Sequence, residues 1–211
     1  MNKSCLLGVV LASLFAIFTP FCNAANVTFN FEFEVTAISD RSFFNYGIGD
    51  RLTGSMTYET TTTGTPTLIG SRDITQLYSL IGSPNEITLN INNGYMFTDF
   101  KVTVGNDLVS VWPPEIFEVR TTPTDFPGFT NVDFGMDIWS SDPTTFDMDS
   151  LPSEPINIGD ANTVRAVGGL SIDNPNNSQV REGLNFVVIS MTSAVPISPA
   201  LWLFGSGLIG V

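Results

Sequence analysis

The chain has 211 residues, of which 43% are hydrophobic, and 21 acidic against 8 basic residues give it a formal net charge of −13. So acidic a surface repels nucleic acid and anionic lipid. The sequence also contains no histidine and only two cysteines, which excludes Ser-His-Asp and Cys-His catalysis and ordinary zinc sites, and leaves open carboxylate chemistry or an oxygen-ligated calcium site.

The segment 1–24 has the pattern of a secretory signal peptide. Lys3 supplies a positive charge, residues 5–21 form an apolar core, and small residues lead to a cleavage site between Ala24 and Ala25. An uncleaved anchor is the alternative, because the apolar run is long. Cleavage would remove both Cys5 and Cys22, so the mature chain would have no thiol or disulfide.

The region 25–193 has the length of one domain and shows the period of two that is typical of β-strands. The clearest strand covers residues 27–35, where aromatic and β-branched side chains alternate with polar ones. Further strands are predicted over residues 52–58, 78–81, 87–91, 95–97, 100–104, 108–112, 116–120, 132–138, 164–172 and 184–191. The last of these strands contains four consecutive apolar residues, 186–189, which predict burial on both faces.

The connections are also predicted from local sequence. Residues 60–70 are rich in threonine and glycine and predict a loop. Asn93-Gly94 between two alternating runs predicts a hairpin, and a change in the apolar phase predicts a bulge near Thr98-Asp99. Since no helical periodicity is found, the expected fold is an all-β antiparallel sandwich resembling a jelly roll.

An acidic segment, residues 141–150, is the candidate metal site. Asp142, Asp147 and Asp149 could supply oxygen ligands to calcium. The spacing lacks the glycine and the final glutamate of an EF-hand, so solvated acidic side chains are the alternative interpretation. No other cofactor is expected.

Aromatic and acidic residues on the predicted strands suggest contact with sugars. Trp112 and Trp139, with Tyr95, could stack against sugar rings, although core or rim packing is the alternative. Asp133 and Asp137 fall on one strand face about 13 Å apart, from the rise per residue of a strand. That spacing exceeds the ~5–9.5 Å between the carboxyl groups of glycosidases, so we do not expect catalysis there.

The C-terminal segment, residues 194–211, is uncharged and begins with two prolines. Thirteen apolar or small residues from Pro199 onward are fewer than the roughly 20 needed to span a bilayer. A tail that packs on the domain's own core is one interpretation, and a short apolar helix is the other.

The segment Val-Pro-Ile-Ser-Pro-Ala-Leu-Trp-Leu-Phe-Gly-Ser-Gly-Leu-Ile-Gly, residues 195–210, resembles the C-terminal sorting signal known as PEP-CTERM. Its characteristic positions are Val195, Pro196, Pro199, Trp202, Gly205 and Gly207. Residues 49–58, Gly-Asp-Arg-Leu-Thr-Gly-Ser-Met-Thr-Tyr, also resemble a stretch common in exported proteins with this tail. The segment departs from the family pattern in two ways. Ser198 separates the second proline from the Val-Pro-Ile opening, and the short run of Arg and Lys that normally follows the apolar segment is missing.

The resemblance implies a protein exported by a Gram-negative bacterium, anchored transiently in the inner membrane and processed by an exosortase-type protease. The implied location is the cell surface or an extracellular polysaccharide matrix. We therefore expect a non-catalytic structural or adhesive protein that contacts exopolysaccharide. A calcium-assisted carbohydrate-binding module and a carboxylate-based glycan-active enzyme are the alternatives.

Overall fold

A computed structural model describes residues 26–39, 44–69, 73–91, 94–106, 108, 115–142, 144–146, 150–174 and 177–194. In these ranges the regular secondary structure consists of strands, without a helix: β1 (Asn26–Ile38), β2 (Arg51–Glu59), β3 (Thr65–Ile69), β4 (Asp73–Ile81), β5 (Glu86–Leu89), β6 (Tyr95–Phe97), β7 (Asp99–Gly105), β8 (Glu115–Thr121), β9 (Thr124–Phe126), β10 (Phe129–Ser140), β11 (Thr163–Asn174) and β12 (Asn177–Ser193). The expected signal peptide and sorting segment lie outside the described residues.

The described strands form one antiparallel sheet. Its hydrogen-bonded order is β3-β4-β7-β8-β10-β11-β12-β1-β2-β5-β6, with β9 paired to β10. The all-β antiparallel class predicted from the sequence is confirmed. The hydrogen bonding follows one continuous path, however, where the expected sandwich would have two separate sheets.

The sheet curls so that its apolar face closes around a single core. Alternation along β1 places Phe29, Phe31, Phe33 and Val35 inside, each at most 3% exposed. The ring of Phe186 from β12 contacts Phe33 with centroids 4.5 Å apart. Aromatic side chains from strands far apart in sequence therefore form the centre of the core.

The last strand in the hydrogen-bonded order, β6, returns to contact the hairpin of β9 and β10. Tyr95 and Phe97 of β6 pack edge-on against Phe126 of β9, with ring centroids 4.9 and 5.3 Å apart. These contacts join the two regions through side chains. Tyr95 is thus a core residue at 3% exposure and presents no face for stacking on a sugar.

The segment between β10 and β11 covers one end of the core. Phe146, Leu151 and Ile156 are buried, and the ring of Phe146 lies 6.1 Å from that of Phe117 on β8. The hydroxyl of Tyr58 on β2 donates a hydrogen bond to the carbonyl of Pro152. Burial raises the pKa of Tyr58, so this donor stays protonated and holds the segment to the sheet.

Several local predictions need correction. Part of the predicted 60–70 loop is the edge strand β3, and the short 78–81 strand belongs to the longer β4. The phase change near Thr98 marks the boundary between β6, which pairs with β5, and β7, which pairs with β4 and β8. It is a change of partner, where a bulge was expected.

The interior of β12 is buried on one face only. Phe186 and Val188 face the core, whereas Val187 and Ile189 are half-buried on the other side. The prediction of burial on both faces was therefore wrong, because the outer face of the curled sheet is not covered there. The predicted strand at 108–112 lies almost entirely outside the described residues.

Candidate binding groove

The outer face of β8, β10 and β11 contains an open groove of about 460 Å³. Its lining includes three pairs of residues directly opposite each other in β10 and β11, Asp133 and Ser171, Gly135 and Gly169, and Asp137 and Val167, together with Arg165 of β11. These positions lie on the outer face because the inward positions of both strands are occupied by core residues such as Phe134 and Leu170. The groove therefore follows from the strand register.

Arg120 of β8 forms one wall of the groove. Its guanidinium Nη2 lies 2.8 Å from Asp137 Oδ1 and 3.0 Å from Glu118 Oε1. A Cβ atom at Gly135 would approach Arg120 Nη1 to 2.7 Å, so the arginine side chain occupies the space above that glycine. A larger residue at position 135 would displace the end of this flexible side chain.

A second arginine, Arg181, pairs with acidic side chains at the Asp133 end of the groove. Arg181 Nη2 lies 2.8 Å from Asp133 Oδ2, and its Nε lies 3.4 Å from Asp173 Oδ1. It also donates a hydrogen bond of 2.7 Å to the carbonyl oxygen of Asn131, whose φ of 53° lies in the left-handed region. Asp133 and Asp137 do share one face, as the sequence indicated, but each is paired with its own arginine.

Arg165 lies beside Trp139 on the same face and is exposed. It makes no ion pair with any residue that the structure describes. Trp139 is half-buried, and its indole Nε1 is buried without a hydrogen-bond partner among the described residues. The predicted sugar-stacking residue Trp139 thus lies opposite Arg165 but outside the lining of the groove, while Trp112 lies outside the described residues.

The candidate calcium site is only partly described. The Oδ1 atom of Asp142 accepts hydrogen bonds from the Thr144 hydroxyl at 2.7 Å and the Thr144 backbone N–H at 2.9 Å. These two bonds lower the pKa of Asp142. Asp147 and Asp149 lie outside the described residues, so the structure shows Asp142 as a turn-stabilising side chain.

Neither a metal-binding cluster nor a membrane-spanning helix is found among the described residues. In the part of the chain that the structure describes, no three histidine, cysteine or acidic side chains converge where they could hold a metal ion. Those residues also contain no helix with the length and apolar character needed to cross a membrane.

Comparison with known proteins gives no relative: no family model, no curated protein and no solved structure matches the chain.

Reasoning from the sequence missed the arginines and the glycines of the groove. Arg120, Arg165 and Arg181 are on three different strands, and only the register brings them to one face. One signal was present: glycine is unfavourable in strand interiors, and a conspicuous Gly168-Gly169 pair lies within the predicted strand 164–172.

Proposed function

We propose that the protein is an exported, non-catalytic component of the cell surface or of an extracellular polysaccharide matrix. The observation that carries the proposal is the pair of apolar segments in the sequence, a signal-peptide pattern over residues 1–24 and a PEP-CTERM-like tail over residues 194–211. They flank a region rich in strands that has its own buried core. The tail is the substrate of an exosortase-type protease, and the inner membrane is a transient location.

The arrangement of the chain ends supports this proposal. β1 and β12 are adjacent and antiparallel, and Phe29 lies opposite Ser193. The backbone N–H of Ala194 donates a hydrogen bond of 2.8 Å to the carbonyl of Thr28. Removal of residues 1–24 and of the tail beyond Ala194 would thus leave the pairing of β1 with β12 in place.

A structural or adhesive role fits the chemistry that the mature chain retains. After cleavage at Ala24 it would contain neither histidine nor cysteine, so Ser-His-Asp and Cys-His catalysis is excluded and carboxylates are the remaining candidates for proton transfer. Asp133 and Asp137, the carboxylates closest to a catalytic arrangement, are held in ion pairs with Arg181 and Arg120. The groove is suited to binding, and exopolysaccharide is its proposed partner.

The test is the intact mass of the protein recovered from the medium and from the membranes of producing cells. We expect the extracellular form to begin at Ala25 and to lack the apolar tail. Ala24→Asp should leave the signal peptide attached, and Trp202→Asp should leave the tail uncleaved, so each variant changes the mass at one end only. A wild-type extracellular protein that retains residues 201–211 would contradict the sorting proposal. Retention of residues 1–24 inside the cell would contradict export.

A further inference from the structure

Three adjacent glycines on β10 and β11 differ in what surrounds them. A Cβ atom at Gly135 would meet the Arg120 side chain, and one at Gly168 would meet the carbonyl oxygen of Gly135 and the ring of Phe186, both at 2.5 Å. A Cβ atom at Gly169 would meet only the tip of the Asn185 side chain at 3.1 Å and the Leu184 carbonyl at 3.4 Å. Packing therefore requires glycine at 168, where the obstruction includes backbone, whereas at 135 and 169 the nearest atoms belong to the movable side chains of Arg120 and Asn185.

Glycine within a strand marks a bulge, a tight bend, or a place where a ligand or another backbone approaches closely. The register is regular on both sides of Gly169, so no bulge accounts for it. Gly169 leaves the backbone bare in the middle of the groove, opposite Gly135. Between Asp133 and Trp139 the face is about 20 Å long, from the rise per residue of a strand. This length suits an extended chain of several small units that lies along the strands.

The charged groups of the groove are not equivalent. The carboxylate of Asp137 is paired with Arg120 and that of Asp133 with Arg181, whereas Arg165 has no such partner among the described residues. This unpaired guanidinium is positioned to hold one carboxylate, against the general repulsion of anions by a chain of net charge −13. A guanidinium recognises a carboxylate through two parallel hydrogen bonds.

The polar groups around Arg165 fit a polyhydroxylated ligand. The paired carboxylates of Asp133 and Asp137 keep free lone pairs that accept hydrogen bonds from hydroxyl groups, and the hydroxyl of Ser171 can donate or accept. Trp139 lies directly opposite Arg165, just beyond the lining of the groove. We propose that this groove binds a glycan bearing carboxylate groups, with Arg165 holding a carboxylate and Gly169 allowing the sugar chain to lie against the sheet.

This inference rests on the proposed function and names the class of polysaccharide that the protein contacts. The test is isothermal titration calorimetry, in which oligogalacturonate is added to the full chain. A polyoxyethylene detergent, which carries no sugar, keeps the protein in solution. The matched neutral probe is the same oligomer with every carboxylate methyl-esterified. We expect the acidic oligomer to bind and the ester to bind at least about tenfold more weakly, because the loss of one charge-assisted hydrogen bond already costs that much.

Two variants test separately the charge of Arg165 and the open floor of the groove at Gly169. Arg165→Gln should weaken binding of the acidic oligomer about tenfold or more and leave binding of the ester unchanged. Gly169→Val should weaken binding of both oligomers, because its side chain fills the floor, where a Cβ atom would meet the Asn185 side chain at 3.1 Å and the Leu184 carbonyl at 3.4 Å. Arg51→Gln, on the outer face of β2 and paired with Glu32 and Glu34, is the control and should leave both affinities unchanged.

Equal binding of the two oligomers, an unchanged affinity in Arg165→Gln, or no binding of the acidic oligomer would each overturn the inference. A requirement for added calcium would do so too, since the proposed contact is a direct one with Arg165. None of these outcomes depends on the masses of the exported protein, so failure of the groove and failure of the sorting proposal are distinguishable.

Discussion

Gly168 gives the sharpest prediction about stability. Its missing side chain makes room for Phe186, and a Cβ atom there would lie 2.5 Å from both the Gly135 carbonyl oxygen and a ring carbon of Phe186. Ordinary contacts begin near 3.4 Å, so each of the two atoms must move by about 0.9 Å. The oxygen belongs to the paired backbone of β10, which cannot shift without disturbing the sheet.

Overpacking of a well-packed core typically costs about 1–3 kcal/mol. Because the obstruction at Gly168 includes backbone, we expect Gly168→Ala to lower the free energy of unfolding by about 3 kcal/mol, at the upper end of that range. For a chain of this length the loss corresponds to a melting temperature roughly 6–12 °C lower. Urea denaturation followed by tryptophan fluorescence measures the change, with the urea dependence expected to stay constant.

Gly183→Ala is the matched control for this experiment. Gly183 lies on the neighbouring strand β12, and a Cβ atom there would meet only the Leu170 carbonyl at 3.7 Å. The same substitution should be neutral or should stabilise by up to about 1 kcal/mol, because alanine restricts the unfolded chain. If Gly168→Ala stayed within about 0.5 kcal/mol of the wild type, the steric argument would be refuted.

Three further predictions concern single contacts. Thr144→Ala should raise the pKa of Asp142 toward its ordinary value of 3.8, as followed by carboxyl NMR, and an unchanged titration would contradict the assigned hydrogen bonds. With the pKa lowered in the folded state, the stabilisation from Asp142 is complete above pH 3.8 and is lost as the pH falls through the folded value. Thr144→Ala should weaken this dependence without abolishing it, because the backbone N–H bond remains. Phe186→Ala should cost about 3–5 kcal/mol in urea denaturation, because the ring is 1% exposed, and a loss below about 1 kcal/mol would show that it is not a core residue. Arg120→Gln should cost less than about 1 kcal/mol and still less in high salt, since the Arg120 side chain in the pair with Asp137 is 48% exposed; a larger, salt-insensitive loss would contradict this interpretation.

Strands with strict alternation could be predicted from the sequence, because a half-buried strand imposes a period of two on its side chains. β1 and β10 show this clearly, because every second residue from Phe29 to Val35 and from Val132 to Ile138 is buried. β3 could not be predicted, because its sequence Thr-Pro-Thr-Leu-Ile at the edge of the sheet has no such alternation. Its strand conformation depends on pairing with β4.

Pairing between distant strands limits what the sequence predicts about the site. Asp137 and Asp133 were identified on one face, but their arginine partners belong to other strands, Arg120 to β8 and Arg181 to β12. Nothing local indicates which strand lies beside β10. The sequence identified Asp142 as a candidate metal ligand but did not predict its role in a turn. That role depends on the backbone geometry at Thr144, whose N–H donates to the Asp142 carboxylate.

The adjacency of β1 and β12 also determines when the fold can be completed. Phe29 meets Ser193 only after almost the whole chain is available, so the pairing at the centre of the sheet closes a loop that includes every strand from β2 to β11. Contacts that span such a separation form slowly, because the chain must lose the entropy of a long loop first. A chain that crosses a membrane through a narrow channel would therefore remain incompletely folded until β12 has emerged.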